Sequence, residues 1–201
     1  MQTLKGHSVL VTGASGFLGG VITVHLRKQG ARVVETARSQ VAQTDEAVVY
    51  LDLEAPTTLK SLNAKGPYDA VIHCAAVLPG KRPDLDLLIA NQRMTYNLVE
   101  WAISNNVPDF LFASSCSVYG YSDQPRTESA LPAPPNIYAA SKLACEHIIK
   151  IVAGGAVIKT CIFRISAPYG PGLRTETVVK RFLKQAARNQ PITLMGSGSR
   201  S

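Results

Sequence analysis

The chain has 201 residues, enough for one sizeable core with a small appendage and too few for a second full domain. Hydrophobic residues make up 46% and charged residues 17%, a balance that excludes a disordered chain. Lys and Arg outnumber Asp and Glu by 21 to 14, a formal net charge of +7, so an anionic partner enters consideration. The basic residues are scattered, however. The densest group, Lys180, Arg181, Lys184 and Arg188, alternates with Val178, Val179, Phe182, Leu183 and Ala186 like the two faces of one amphipathic helix. A nucleic-acid partner therefore ranks last and none is expected. Cys74, Cys116, Cys145 and Cys161 form no C-x-x-C pair and have no His at ligand spacing, which predicts reduced thiols and no metal. The start of the chain passes from Lys5-Gly6-His7-Ser8 into a short apolar run. Neither a secretory segment nor a membrane span is predicted, and the expected location is the cytoplasm.

In chain order, short β-branched runs at residues 8–12, 32–36, 47–51, 70–74, 110–113 and 157–165 alternate with helix-length amphipathic segments. That rhythm predicts a doubly wound parallel α/β sheet with helices on both faces, a Rossmann fold. The first helix carries Phe17, Leu18, Val21, Ile22 and Leu26 on one face, and Gly30 stands where a left-handed stop is needed. Pro125, Pro132, Pro134 and Pro135 make residues 124–135 a surface loop, with a helix beginning near Asn136. A second loop spans residues 167–172, after the sixth strand.

The first strand runs into Thr12-Gly13-Ala14-Ser15-Gly16-Phe17-Leu18-Gly19, a G-x-x-G-x-x-G spacing at a strand-to-helix junction. Glycines at this spacing let the backbone turn sharply and approach a pyrophosphate, which then sits on the free N–H groups of the helix start. The alternative is a plain glycine-rich turn, which the position at the opening of a βαβ unit disfavours. The end of the second strand selects the cofactor. The expected acidic position is filled by Ala37, followed by Arg38, which favours NADP over NAD, although an Arg stacked on adenine reads the same way in sequence. Asp52, after the third strand, is either an adenine contact or a turn residue.

Tyr138 and Lys142 lie four residues apart after the Pro-rich loop and share one helix face. A phenol with a reference pKa of about 10 is a poor base. A neighbouring ammonium is expected to lower it, so that Tyr138 takes a proton from a substrate hydroxyl while hydride leaves the same carbon. The run Ser114-Ser115-Cys116-Ser117-Val118-Tyr119-Gly120 follows the fifth strand and offers a hydroxyl to align the reacting oxygen.

With these motifs the chain resembles the extended short-chain dehydrogenase/reductase family, particularly its nucleotide-sugar epimerases and dehydratases. The likeness is carried by residues 12–19, Asp52-Leu53, Val71-Ile72-His73-Cys74-Ala75-Ala76, Asn91 with Thr95 and Asn97, residues 114–120, residues 138–142, and residues 163–172. It implies that Tyr138 is the acid/base, Lys142 holds the nicotinamide ribose and Ser115 orients the substrate hydroxyl. It further implies cofactor contacts from Gly13, Ser15, Gly16, Phe17, Leu18, Gly19, Arg38, Asp52, Leu53, Ala75, Ala76, Asn91 and Pro168, with Tyr169 nearby, and a substrate contact from Ser117. Two departures from the family pattern stand out. The sugar 4,6-dehydratases carry an adjacent Asp-Glu pair where this chain has Cys116 and Ser117, so dehydration lacks its acid and base. Cys116 reads either as an acid/base or, preferably, as a small buried thiol. Relatives also continue beyond residues 191–201.

The expected division is therefore a dinucleotide-binding domain at residues 1–166 and an incomplete substrate-binding portion at residues 167–201, with an exposed apolar patch around Phe182 and Leu183. The expected function is an NAD(P)-dependent epimerase or reductase acting on a nucleotide sugar or a similar alcohol or carbonyl substrate. The alternative is a non-catalytic, truncated NADP-binding module. Many relatives pair through two helices, which here would include residues 91–104 and 136–152, so a homodimer through them is possible, while the sequence leaves the oligomeric state open.

Overall fold

The computed structural model describes residues 3–38, 47–122, 124–173 and 176–194. The expectations that reach residues 39–46 and 195–201 lie outside the described residues. Six parallel strands form one sheet in the order β3-β2-β1-β4-β5-β6: β1 (Ser8–Thr12), β2 (Arg32–Ala37), β3 (Val48–Tyr50), β4 (Ala70–His73), β5 (Asp109–Ser115) and β6 (Lys159–Ile165). Among the described residues four α-helices connect or follow them: α1 (Phe17–Lys28), α2 (Asp84–Ser104), α3 (Ile137–Ala153) and α4 (Val178–Ala187). Two 3-10 segments, Pro56–Lys65 and Cys116–Tyr119, were not anticipated from the sequence.

Successive residues of a strand point to opposite faces, and β1 shows this directly. Leu10 joins the core formed with α2 and α3, including Val34, Val71, Leu98, Phe110 and Ile149. Val9 and Val11 join Val33 and Ala31 on the α1 side. Both faces being covered, all five residues of β1 are buried, which explains its uninterrupted apolar run. β6, by contrast, is an edge strand with Lys159, Thr160, Cys161 and Phe163 exposed. Its apolar reading came from sequence, and its exposure follows from having a neighbour on one side only.

Helix ends follow local chemistry. Asn136 caps α3 by accepting from the N–H of Ala139 at 2.9 Å. Gly30, at φ +89°, terminates the α1 connection in the left-handed region. No residue of α4 is buried, and Leu183 is exposed whereas Phe182 is half-buried. No described helix is long and apolar enough to cross a membrane.

His73 pins the centre of the sheet. Thr95 Oγ1 donates to the Asn91 carbonyl at 2.9 Å, so it accepts from His73 Nε2–H at 3.2 Å. Nδ1 is then the bare nitrogen and accepts from Thr12 Oγ1 at 2.7 Å, and that oxygen in turn accepts from the N–H of Ala75 at 3.3 Å. Complete burial, with the Lys142 charge adding to it, holds the imidazole pKa down at about 3. The unfolded chain takes this proton first, near pH 6.5. The stability that neutral His73 contributes is therefore whole above about pH 6.5 and is lost towards pH 3, at up to ~1.4 kcal/mol per unit. Chemical denaturation between about pH 7 and about pH 4 is expected to show this slope, and His73→Gln should flatten it. An equal slope in the variant would exclude His73 as its source.

Candidate active site

β1 lies between β2 and β4, and the chain leaves it towards one face and returns to β4 after crossing to the other. A crevice opens at such a switch point, at the carboxyl ends of the strands. Here it is a cleft of about 380 Å³ lined by the glycine loop at one end and by Ser115, Tyr138 and Lys142 at the other.

The glycine loop is built for close backbone approach. Gly13 has φ +72°, and a Cβ there would lie 2.6 Å from the Ala75 nitrogen. A Cβ on Gly19 would strike the Gly13 carbonyl, so α1 is able to lie against the loop only with glycine at that position. The Gly16 N–H closes the turn on the Gly13 carbonyl at 2.9 Å. The first turn of α1 holds no acidic residue, and its N-cap, Gly16, supplies no side-chain hydrogen bond. Its N–H groups thus face the cleft without a competing carboxylate, the donor set an anionic pyrophosphate needs. These residues fit a dinucleotide.

At the other side of the loop, Ala37, Arg38, Leu51 and Leu53 line the cleft. Glu35 does not reach it. That carboxylate lies within β2 and pairs with Arg27 of α1 at 2.7 Å. Asp52 is exposed, and its Oδ1 accepts from the Glu54 N–H at 3.0 Å, which is the turn role and not a position in the cleft wall. Ala75 and Ala76 line the floor. Asn91, grouped with the cofactor contacts in sequence, is buried behind that floor. Its Oδ1 accepts from the Val77 N–H at 2.7 Å, while Nδ2 donates to the Val77 carbonyl at 3.1 Å and to Ser141 Oγ at 3.0 Å. It shapes the cleft through Val77. Pro168 lines the cleft, whereas Tyr169 is exposed outside it.

Tyr138 and Lys142 share the inner face of α3, and Lys142 Nζ lies 5.9 Å from the Tyr138 ring centroid and 4.7 Å from that of Phe112. The ammonium donates to the Ala113 carbonyl at 2.8 Å. Burial lowers the Lys142 pKa to about 8 against the opposing influence of Cys145, Cys74 and Glu146. Burial, together with Cys145, raises that of Tyr138. The expected acidification of the phenol by Lys142 is thus not present in this state. With Nζ held by Ala113, desolvation governs both groups. Ser115 Oγ lies 2.8 Å from Ser117 Oγ and accepts from the Ser117 N–H at 3.2 Å. Ser117 stands behind Ser115 and does not itself line the cleft. Cys116 is exposed, which overturns its reading as a buried thiol. The strand ends at Ser115, and the following 3-10 turn rotates residue 116 outwards.

Three residues at the site, Glu146, Arg164 and Cys74, were given no role at the site in the sequence reading. Glu146, one turn beyond Lys142, and Arg164 on β6 form a 2.7 Å ion pair behind Ser114. Cys74 lines the cleft beside Lys142, with its thiol pKa raised to about 11 by burial against the pull of that charge. Among the described residues no cluster of His, Cys, Asp and Glu is arranged to hold a metal ion.

The family model for the NAD dependent epimerase/dehydratase family matches residues 9–201. The chain belongs to that family. The extended short-chain dehydrogenase/reductase likeness seen in the motifs is therefore real, and so is the Rossmann-type sheet. UDP-glucuronate 4-epimerase 1 of Arabidopsis thaliana is 31% identical, over 94% of this chain and 49% of its own length. The dTDP-4-dehydro-6-deoxyglucose reductase of Escherichia coli is 30% identical, over 96% of this chain and 66% of its own. The solved structure of MoeE5 in complex with UDP-glucose and NAD superposes with a TM-score of 0.78 at 32% identity, covering 95% of this chain and 64% of that one. The chain spans between about half and two thirds of the length of the curated relatives it matches.

The close approach at Gly19 gives a direct test. Gly19→Ala is expected to cost ~1–3 kcal/mol of stability through overpacking and to weaken binding of the reduced cofactor at least ~10-fold. Thermal melting and fluorescence titration measure the two, and unaltered cofactor affinity would contradict the assignment of this loop to the pyrophosphate.

Proposed function

We propose that this protein, as a member of the NAD dependent epimerase/dehydratase family, oxidises or epimerises a nucleotide sugar, or reduces its keto form, by Tyr-assisted hydride transfer. The observation that carries the reading is convergence: Ser115, Tyr138 and Lys142 lie on the wall of the same cleft that the glycine loop and Ala75 floor at its other end. A bound nicotinamide dinucleotide supplies a hydride acceptor or donor there, held by Gly13, Ser15, Gly16, Phe17, Leu18 and Gly19 at the phosphates. Leu53, Ala75 and Ala76 would flank the adenosine, and Pro168 the nicotinamide.

The chain's own residues then divide the remaining work. Ser115 hydrogen-bonds the reacting oxygen and Tyr138 takes or returns its proton. Lys142 would hold the nicotinamide ribose. With the cofactor in place, the Lys142 ammonium would favour the phenolate of Tyr138 against the burial that raises its pKa. Cys116 and Ser117 leave elimination of water without the acidic pair that sugar dehydratases carry, so the reading stops at epimerisation or reduction. The relatives act on UDP- and dTDP-sugars by their names, and a nucleotide sugar is the proposed substrate class here. Residues 1–166 would form the dinucleotide domain, and residues from 167 onward would begin the substrate side. The exposed Leu85, Ile89 and Tyr96 of α2 and Ile151 of α3 support a homodimer across these helices. The absence of an acid at Ala37 and the open Arg38 beside it support NADP over the NAD that the family name carries.

Tyr138→Phe is expected to keep cofactor affinity within about twofold and to lower hydride transfer to or from a panel of nucleotide sugars by ~10²- to 10⁴-fold. Turnover equal to wild type would reject Tyr138 as the acid/base, whereas a wild-type chain that binds cofactor and turns over none of the sugars would leave a cofactor-binding module. Net consumption of reduced cofactor separates a reductase from an epimerase. Arg38→Ala is expected to weaken NADPH binding by about tenfold or more while sparing NADH. Equal losses for both cofactors would place Arg38 on the adenine instead of a 2′-phosphate.

A further inference from the structure

Glu146 is 1% exposed at its side chain and sits where three elements meet. It lies on α3, one turn beyond Lys142. From β5, Ser114 Oγ donates to its Oε1 at 2.5 Å. From β6, Arg164 donates Nε to Oε1 and Oε2 at 3.0 and 3.2 Å, and Nη2 to Oε2 at 2.7 Å. Ser114 and Arg164 are themselves partners across the β5–β6 ladder. The guanidinium lies 4.6 Å above the Tyr119 ring, and its Nη1 donates to the Glu128 carbonyl at 3.4 Å, reaching the Pro-rich loop. One carboxylate therefore ties the residue before Ser115 to the helix that bears Tyr138 and Lys142.

A buried ion pair gains little stability over a well-packed apolar pair, because desolvation offsets its attraction. What this one adds is direction. A leucine at position 146 would fill space but leave α3 free to slide along β5 by a fraction of an ångström, whereas charge-assisted, multiply bonded contacts fix the offset. We propose that Glu146 is a positioning residue that, through Ser114 and Arg164, sets Ser115 at the working depth of Tyr138 and Lys142. The inference rests on the reading of those three as the reacting set.

A second consequence follows from charge. The groups facing Lys142 are His73 and Cys74 from β4, Phe112 and the Ala113 carbonyl from β5, and Tyr138, Cys145 and Glu146 from its own helix. Facing Glu146 are Ser114, Arg164, Lys150, Lys142 and Cys145. Burial acts to raise the Glu146 pKa, but the hydrogen bonds from Arg164 and Ser114 outweigh it and keep the carboxylate ionised, and its charge helps keep Lys142 an ammonium. Loss of that charge should make Lys142 give up its proton at lower pH.

The test uses the full chain and the reduced cofactor as probe, titrated by fluorescence from about pH 6 to about pH 10, with thermal melting alongside. Glu146→Gln is expected to weaken binding about tenfold and to move the alkaline fall in affinity to lower pH. Leu62→Ala, on the buried face of the first 3-10 segment, serves as a destabilised control whose melting temperature drops while affinity and pH midpoint stay put. A Glu146→Gln protein that melts lower but binds as wild type does at every pH would reduce Glu146 to a structural role and overturn the proposal. Should that variant not fold, Ser114→Ala removes one contact without stranding a charge. A smaller weakening in the same direction is expected, and wild-type binding overturns the proposal equally. Where turnover is measured, kcat should fall with the sugar KM unchanged. A wild-type chain that turns over no nucleotide sugar counts against the functional reading alone, since binding and its pH dependence need no turnover.

Discussion

The site depends on one steric constraint, the passage of backbone against backbone where the loop after β1 meets the end of β4. Gly13 stands so close to Ala75, and Gly19 to Gly13, that neither position has room for a methyl group. That proximity seats the start of α1 directly over the crevice between β1 and β4. A larger residue at either place would lift the helix, and with it the N–H groups that the cleft presents to an anion.

Buried polar groups then hold the cleft in shape. The chain of hydrogen bonds from Ala75 through Thr12, His73 and Thr95 to Asn91 links the floor of the cleft to α2. Asn91 continues it to Val77 and to Ser141, whose hydroxyl donates to the Tyr138 carbonyl at 2.7 Å. Each such bond is worth only ~1 kcal/mol net, so their sum says less about stability than about geometry. Every member has a partner, and a half-satisfied version would be worse than an apolar core. Glu146 and Arg164 do the same for the opposite wall.

Much of this was legible in the sequence because the signals are local. The glycine spacing after an apolar run and the four-residue step from Tyr138 to Lys142 each lie within a dozen residues, and the alternation of strands and amphipathic helices is read one short segment at a time. What was missed depends on tertiary direction. Motif likeness put Asn91 among the cofactor contacts, yet the side chain points behind the wall, a fact set by how α2 rotates against α3. For Asp52 two readings stood open in the sequence, and the contact present is the turn one, Oδ1 accepting from the Glu54 N–H. Cys116 was read as buried since small thiols commonly are, whereas the 3-10 turn carries it outwards. Glu146 and Arg164 are 18 residues apart and meet only because β6 pairs with β5 in a particular register. The step from Tyr138 to Lys142 predicts that the two groups are neighbours, but the burial that raises the phenol pKa and lowers that of the lysine has no signature in their spacing.

A crystal structure of the full chain with NADPH tests the central claim most directly. The account predicts the pyrophosphate against the N–H groups at Gly13 to Gly19 and the nicotinamide ring between Tyr138 and Pro168, with Lys142 Nζ on its ribose. A pyrophosphate seated away from the glycine turn, or a nicotinamide ring out of reach of the Tyr138 hydroxyl, would contradict it.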